Sequence, residues 1–480
     1  MVDVLLTHSY HLFYDRKQVR KMQPYAPLGT LYAAALLRQQ GYSVAVFDTM
    51  LTDPARFSAA LREHQPKIVV IYEDNFNYLS KMCLSRMREV AYGMLDEASR
   101  LGIPAVVNGS DASDNAAAYL SRGFEAVLLG EAEFTLLELV ASRLGGESDF
   151  DHIEGVAYRK GGHIFRTRPR ALLRDLDTLP FPARDLIDMK PYRQAWQSAH
   201  GYFSMNAVAS RGCPYRCNWC AKPIYGNAFH ARSAASVAEE MRELKESYGA
   251  EHLWFADDIF SLKPSWAAEL ADEVEKRNAT IAFKMQSRVD LMTRDTVSAL
   301  RRAGCAEVWM GAESGSQKIL DAMDKDTRVD QISSARKNLQ RHGIRACYFL
   351  QFGYPGEGWT EIQKTIELVR RTRPDDIGVS VSYPLPGTRF FERVHEQIGI
   401  KTNWSDSEDL CITFHGAYTD HFYRALRDAL HAEVESWSGS VDAVRLVELW
   451  REVEALEKTC RANNPVLLPV LQSAAALGQA

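Results

Sequence analysis

Short runs of unbroken apolar residues alternate with longer stretches in which apolar positions recur every three or four residues, and this rhythm occupies two separate parts of the chain. An unbroken run bounded by turn residues reads as a strand covered on both faces, and the slower recurrence reads as a helix with one buried side. In the first part the pattern predicts strands at 2–6, 42–48, 67–73, 103–109 and 125–131. Helices are expected at 28–41, 55–65, 81–102, 114–123 and 134–146. Repeats of this kind predict a doubly wound, Rossmann-like parallel sheet over residues 1–146. Ligands of such sheets lie outside the carboxyl ends of the strands. Here those ends are Thr7 and His8, Asp48 and Thr49, residues 73–75, then Asn108, Gly109 and Ser110, then Gly130 and Glu131. No GxGxxG follows the first strand, so a dinucleotide is not the expected ligand.

The rhythm breaks over 147–200. A hairpin turning on Gly161 and Gly162 and the closely spaced Pro180 and Pro182 suggest an ordered linker lying over the second unit. From 203 the alternation resumes, with strands at 203–210, 252–258, 281–289, 306–314, 344–353 and 377–384 separated by amphipathic helices. Six β/α units are fewer than the eight of a closed barrel, so a partial, open TIM-like barrel is expected over 201–395. The region 396–480 contains two amphipathic helical patterns, and its role is not legible.

Composition narrows the classes. Hydrophobic residues make up 46% and charged residues 25%, with a formal net charge of -5. This is the balance of a globular protein, without the basic surplus expected of a nucleic-acid binder. No apolar stretch approaches the roughly 20 residues that span a bilayer, and the first residues lack the features of a secretion signal. A cytoplasmic location is expected. Of the 8 cysteines, Cys213, Cys217 and Cys220 form a CxxxCxxC group directly after a strand, while those at 83, 305, 347, 411 and 460 stand alone. Cysteine thiolates hold iron–sulfur clusters, normally four to a cubane, so three on one loop leave one iron open to a small molecule. Zinc would ask for a fourth ligand in a paired spacing, and only His230 is at hand.

The triplet, with Trp219 before its last cysteine, resembles the radical S-adenosylmethionine superfamily, and the likeness extends over roughly 205–390. The resemblance implies a [4Fe–4S] cluster that reductively cleaves S-adenosylmethionine to a 5′-deoxyadenosyl radical. WFADDIF resembles the second-strand motif, which implies Asp257 or Asp258 for the methionyl amine, and Arg288 stands where it can meet the carboxylate. VWMGAESGSQKIL implies Glu313 and Ser314 at the ribose. FGYPGEGWTE implies Gly353, Pro355 and Glu361 at the adenine-side turn, and YPLPGT resembles the closing motif. The same residues have plainer alternatives: a helix cap for either aspartate, a buried ion pair for Glu313 and a surface salt bridge for Arg288. Lys222, Tyr225 and His230 follow the cysteine loop without an assigned role.

The first unit resembles the cobalamin-binding class of that superfamily, through PYAPLGTLYAAALLRQQGYSVAVFD and GFEAVLLGEAEFTLLEL, with Glu125 where Asp is usual. The chain lacks DxHxxG, so no lower ligand for cobalt is identified. The resemblance implies cobalamin over the strand ends, lined by Asn108, Gly109, Ser110, Gly130 and Glu131. A transfer-RNA methylthiotransferase would carry three further cysteines in this region, which contains only Cys83. The implied activity is methylation of an unactivated carbon in a small molecule, with reduction by a donor such as flavodoxin or ferredoxin. A radical oxidation, cyclisation or rearrangement is the alternative, and a non-catalytic zinc protein is the reading from a different class.

Overall fold

Strand β1 (Val4–Thr7) is buried along its whole length and lies inside a sheet with β2 (Val44–Phe47), β3 (Ile68–Tyr72), β4 (Ala105–Asn108) and β5 (Ala126–Leu128). The computed structural model describes residues 1–77, 84–147, 149–401 and 403–463. Residues 81–83, where a helix is expected to begin, lie outside that range together with Cys83, and so do residues 464–480 at the end of the tail. The strand order is β2-β1-β3-β4-β5 with every pair parallel. The chain leaves β1 toward one side and then returns to build the other. The crevice between the ends of β1 and β3 is therefore the switch point at which such sheets take ligands.

One expectation is corrected here. The hairpin β6 (Val156–Lys160) and β7 (His163–Arg166) does not lie over the second unit. It continues the first sheet, antiparallel to β5, with Ala126 opposite Tyr158. The physical reason is that β5 would otherwise expose a row of unpaired backbone groups, which the hairpin covers. The helix expected at 114–123 is divided into Ser110–Asp114 and Ala116–Arg122, broken at Asn115. The linker also contains the helix Lys190–His200, whose Tyr192 and Trp196 are buried.

The second sheet consists of β8 (Ser204–Ala207), β11 (His252–Phe255), β12 (Ala282–Ser287), β13 (Cys305–Glu313), β14 (Arg345–Phe352) and β15 (Asp376–Val381). All neighbours are parallel and follow chain order, and β8 and β15 are the two edges. This is the partial barrel that the pattern predicts. A short antiparallel pair, β9 (Ser210–Arg211) and β10 (His230–Ala231), brackets the cysteine loop. Leu253, Phe255, Phe283, Met285, Val308 and Met310 pack with the helices, in one buried cluster that also takes in Tyr10, Met50 and Met87 of the first unit. The helix Asp420–Ser436 adds Phe422, Leu426 and Leu430 to the same core. Among the described residues no helix is long and apolar enough to cross a membrane.

Candidate cluster and cofactor site

The cysteine loop starts from a forced turn. Gly212 has φ +77, and a Cβ there would lie 2.3 Å from the Ala228 carbonyl oxygen and 3.1 Å from that of Tyr225. Only glycine combines that conformation with so close an approach of backbone to backbone. Cys213, Cys217 and Cys220 follow as half-buried free thiols. Burial pushes the Cys213 thiol up and that of Cys220 up to about 12, with a smaller contribution from the nearby Asp258 carboxylate. Iron would reverse this, since a metal binds the thiolate. Among the described residues no three His, Cys, Asp or Glu side chains form a group able to hold a single metal ion. A cubane needs its thiolates on separate irons rather than around one point.

Asn218, between two of the cysteines, fixes the loop across the barrel, a role the sequence reading missed. Its Nδ2 donates to the Ala322 carbonyl at 2.8 Å and to Asp324 at 2.9 Å, and its Oδ1 accepts from the Tyr354 hydroxyl at 2.7 Å. The Phe390 N–H donates to its carbonyl oxygen. Trp219 packs beside Met323, Tyr354 and Phe390, and its indole nitrogen is buried without a hydrogen-bond partner.

Around the loop, the expected contact residues divide. The Asp257 carboxylate is occupied by the Ala209 N–H and the Ser210 hydroxyl, and burial raises its pKa to about 7. Asp258 is exposed and close enough to act on the thiols. Arg288 stacks on Tyr215 at 3.6 Å, bonds Asp290 at 2.9 Å and lies 4.0 Å from the Cys217 sulfur. Glu313, in left-handed backbone at φ 59, forms a buried ion pair with Lys325 at 2.8 Å. The Lys325 ammonium also lies 5.9 Å from the Trp219 ring, and Gly311 makes room for the pair. Arg288 and Lys325 thus both lie near Cys217. Ser314 is taken up by Thr365 and the Ser316 N–H. The Gly353 N–H donates to Glu357, and Glu361 caps the next helix through the Gly358 N–H, while Pro355 is exposed.

At the edge of the first sheet, Asn108 donates to the Leu128 and Gly130 carbonyls and accepts from Asn75 at 2.7 Å. Gly109 presses on Glu73, where a Cβ would be 2.7 Å from Cγ. Ser9 Oγ, Asn75 Oδ1 and Ser110 Oγ are buried without a hydrogen-bond partner, at the ends of β1, β3 and β4. Buried polar atoms are normally satisfied, so three orphans along this edge fit a ligand that brings its own donors and acceptors.

Glu131 reaches across to the second unit. With Glu133 it clasps Arg211, which stands directly before Gly212, at 2.5 and 2.8 Å. The guanidinium lies 5.3–5.5 Å from the ring centroids of Tyr225, Phe76 and Tyr32. All three charged groups are buried. The signal for this contact was present as an arginine beside the cysteine motif and a GExE turn on the other unit.

Residues 208–369 match the family model described as the Radical SAM superfamily. The barrel is a radical SAM domain. The chain is 28% identical over 282 residues to an uncharacterized methyltransferase of Pyrococcus horikoshii, covering 58% of this chain and 60% of that protein. It is 23% identical over 286 residues to an anaerobic magnesium-protoporphyrin IX monomethyl ester cyclase of Rubrivivax gelatinosus, covering 58% and 50%. The chain thus matches less than two thirds of the length of either relative. Its fold is similar to that of the radical S-adenosylmethionine methyltransferase TsrM of Kitasatospora setae, solved with cobalamin and a [4Fe-4S] cluster bound. The TM-score is 0.67 at 20% identity, over 83% of this chain and 75% of that one.

Proposed function

We propose that Cys213, Cys217 and Cys220 hold a [4Fe–4S] cluster, that S-adenosylmethionine binds at the iron they leave open, and that cobalamin lies on the carboxyl edge of the first sheet. The activity is methylation of an unactivated carbon of a small molecule. Together these cofactors supply a carbon radical able to take a hydrogen atom and a methyl group to replace it. The observation that carries this reading is the clasp of Arg211 by Glu131 and Glu133, which joins the ligand edge of the first sheet to the start of the cysteine loop.

Within this arrangement Asp258, exposed beside the cysteine loop, accepts from the methionyl amine, and the buried Asp257 braces the strand ends through Ala209 and Ser210. Arg288, 4.0 Å from the Cys217 sulfur, would meet the methionyl carboxylate. Ser9, Asn75 and Ser110 offer polar atoms to the carboxamide rim of a corrinoid. The names of the relatives support methyl transfer, and the cyclase among them favours a second reading, a radical cyclisation with the same cofactors. Flavodoxin or ferredoxin would serve as the electron donor in either case.

The test is anaerobic reconstitution with iron, sulfide and hydroxocobalamin, followed by dithionite and S-adenosylmethionine. The expected result is about four irons per chain, as a cubane holds, with one corrinoid and formation of 5′-deoxyadenosine. Iron and cleavage without corrinoid would remove methylation and leave the radical chemistry.

A further inference from the structure

On β12, Phe283 and Met285 are buried in the helix-side core, so Lys284 between them turns into the lumen, where it is half-buried. Its ammonium lies 5.6 Å from the ring centroid of Tyr25, 5.9 Å from those of Trp196 and Trp254, and 3.3 Å from Gln23 Oε1. Among the described residues no carboxylate comes within ion-pair reach of it. Glu307, its register neighbour on β13, is bound instead to Arg345 at 2.8 Å and to the Trp309 indole N–H at 2.7 Å. A cation drawn out of water without a counter-ion is held at a cost, and burial lowers its pKa to about 8. One layer further along the strands, the rings of Trp309 and Phe349 lie 5.0 Å apart at 30°. Gly378 on β15 lets them lie flat, since a Cβ there would come within 3.2 Å of Phe349 and 3.4 Å of Trp309.

We propose that this part of the lumen is a subsite for a substrate with a planar apolar body and a carboxylate, with Lys284 as the counter-ion and the Trp309–Phe349 pair as the shelf beneath the body. The subsite rests on the reading of the lumen as the reaction chamber. It supplies what Lys284 lacks, an anion within the aromatic surround, and it makes Lys284 a specificity-determining residue. A neutral ligand of the same shape would leave the ammonium uncompensated.

The test uses the cluster- and cobalamin-loaded protein and two flat probes that differ in charge, 2-naphthoate and 2-naphthamide, titrated by calorimetry. The acid is expected to bind about tenfold or more tightly than the amide, as close charge pairs do, and Lys284→Gln is expected to abolish that preference. Equal affinities in the wild type, or a preference that survives in Lys284→Gln, would overturn the subsite. Gly378→Val should weaken both probes alike, and unchanged affinities would remove the shelf. 5′-Deoxyadenosine formation on the same preparation keeps the two readings apart. Cleavage without acid preference sinks the subsite alone, and acid preference without cleavage sinks the reaction alone.

Discussion

Arg211 Nη1 lies 2.5 Å from Glu131 Oε1, across the boundary between the first sheet and the barrel. Glu133 takes the other arm of the guanidinium, and three aromatic rings close around it. Glu131 lies in the turn after β5 and Glu133 opens the helix that follows, and the arginine stands two positions before the first cysteine of the cluster loop. The same contact thus seals the seam between the units and sets where the loop begins.

Removing one member of a buried ion pair strands the other. Arg211→Met is expected to destabilise the protein by roughly 3–5 kcal/mol, read as a lower midpoint in thermal unfolding followed by circular dichroism. The triple variant with Glu131→Gln and Glu133→Gln should regain part of that loss. A wild-type midpoint in Arg211→Met would show that the acids do not depend on it.

Gly212→Ala should spoil the loop while leaving the sheets intact. Its Cβ meets a backbone carbonyl that has no rotamer with which to move away. Iron bound per chain after reconstitution is expected to fall well below wild type with little change in far-ultraviolet circular dichroism. Full iron loading would mean that the loop re-forms around the added methyl group.

Cys217→Ala is expected to lose the brown absorbance of the cluster and all 5′-deoxyadenosine formation. Cys305→Ala, at a packed position on β13, should keep both. Wild-type nucleoside production by Cys217→Ala would overturn the cluster assignment.

Glu357 is buried with one carboxylate oxygen unbonded, and burial raises its pKa to about 8. The native state therefore holds a proton that the unfolded chain releases near the ordinary glutamate range of about 4.3. Its contribution to stability is fully present below that range and is lost as pH rises toward 8. Glu357→Gln, which cannot ionise, should gain in thermal midpoint over wild type on going from pH 5 to pH 8. A pH-independent difference between the two proteins would contradict this.

Much of the architecture was legible because apolar runs at the centres of parallel sheets are long and unambiguous, as at 68–72 and 345–352. The cysteine loop was legible because its chemistry is written in three residues. What escaped depends on contacts between distant segments. The hairpin gave no local sign of which edge it would pair with. Nothing near Glu313 announces Lys325 as its partner, because the two meet only where β13 bulges beside Gly311. Asp257 and Asp258 are equivalent as letters, and only the fold shows Asp257 buried against Ala209 and Ser210 and Asp258 exposed. Asn218 went unremarked because a polar residue in a loop carries no mark of its distant partners.

The Asn218 tether makes the far end of the chain part of the cysteine loop's support. It binds the peptide between two cysteines to Tyr354, and the neighbouring Gly353 rests against Tyr423 of the helix Asp420–Ser436. How the tail helix is seated is therefore passed, through Tyr423 and Tyr354, to the stretch of loop between Cys217 and Cys220.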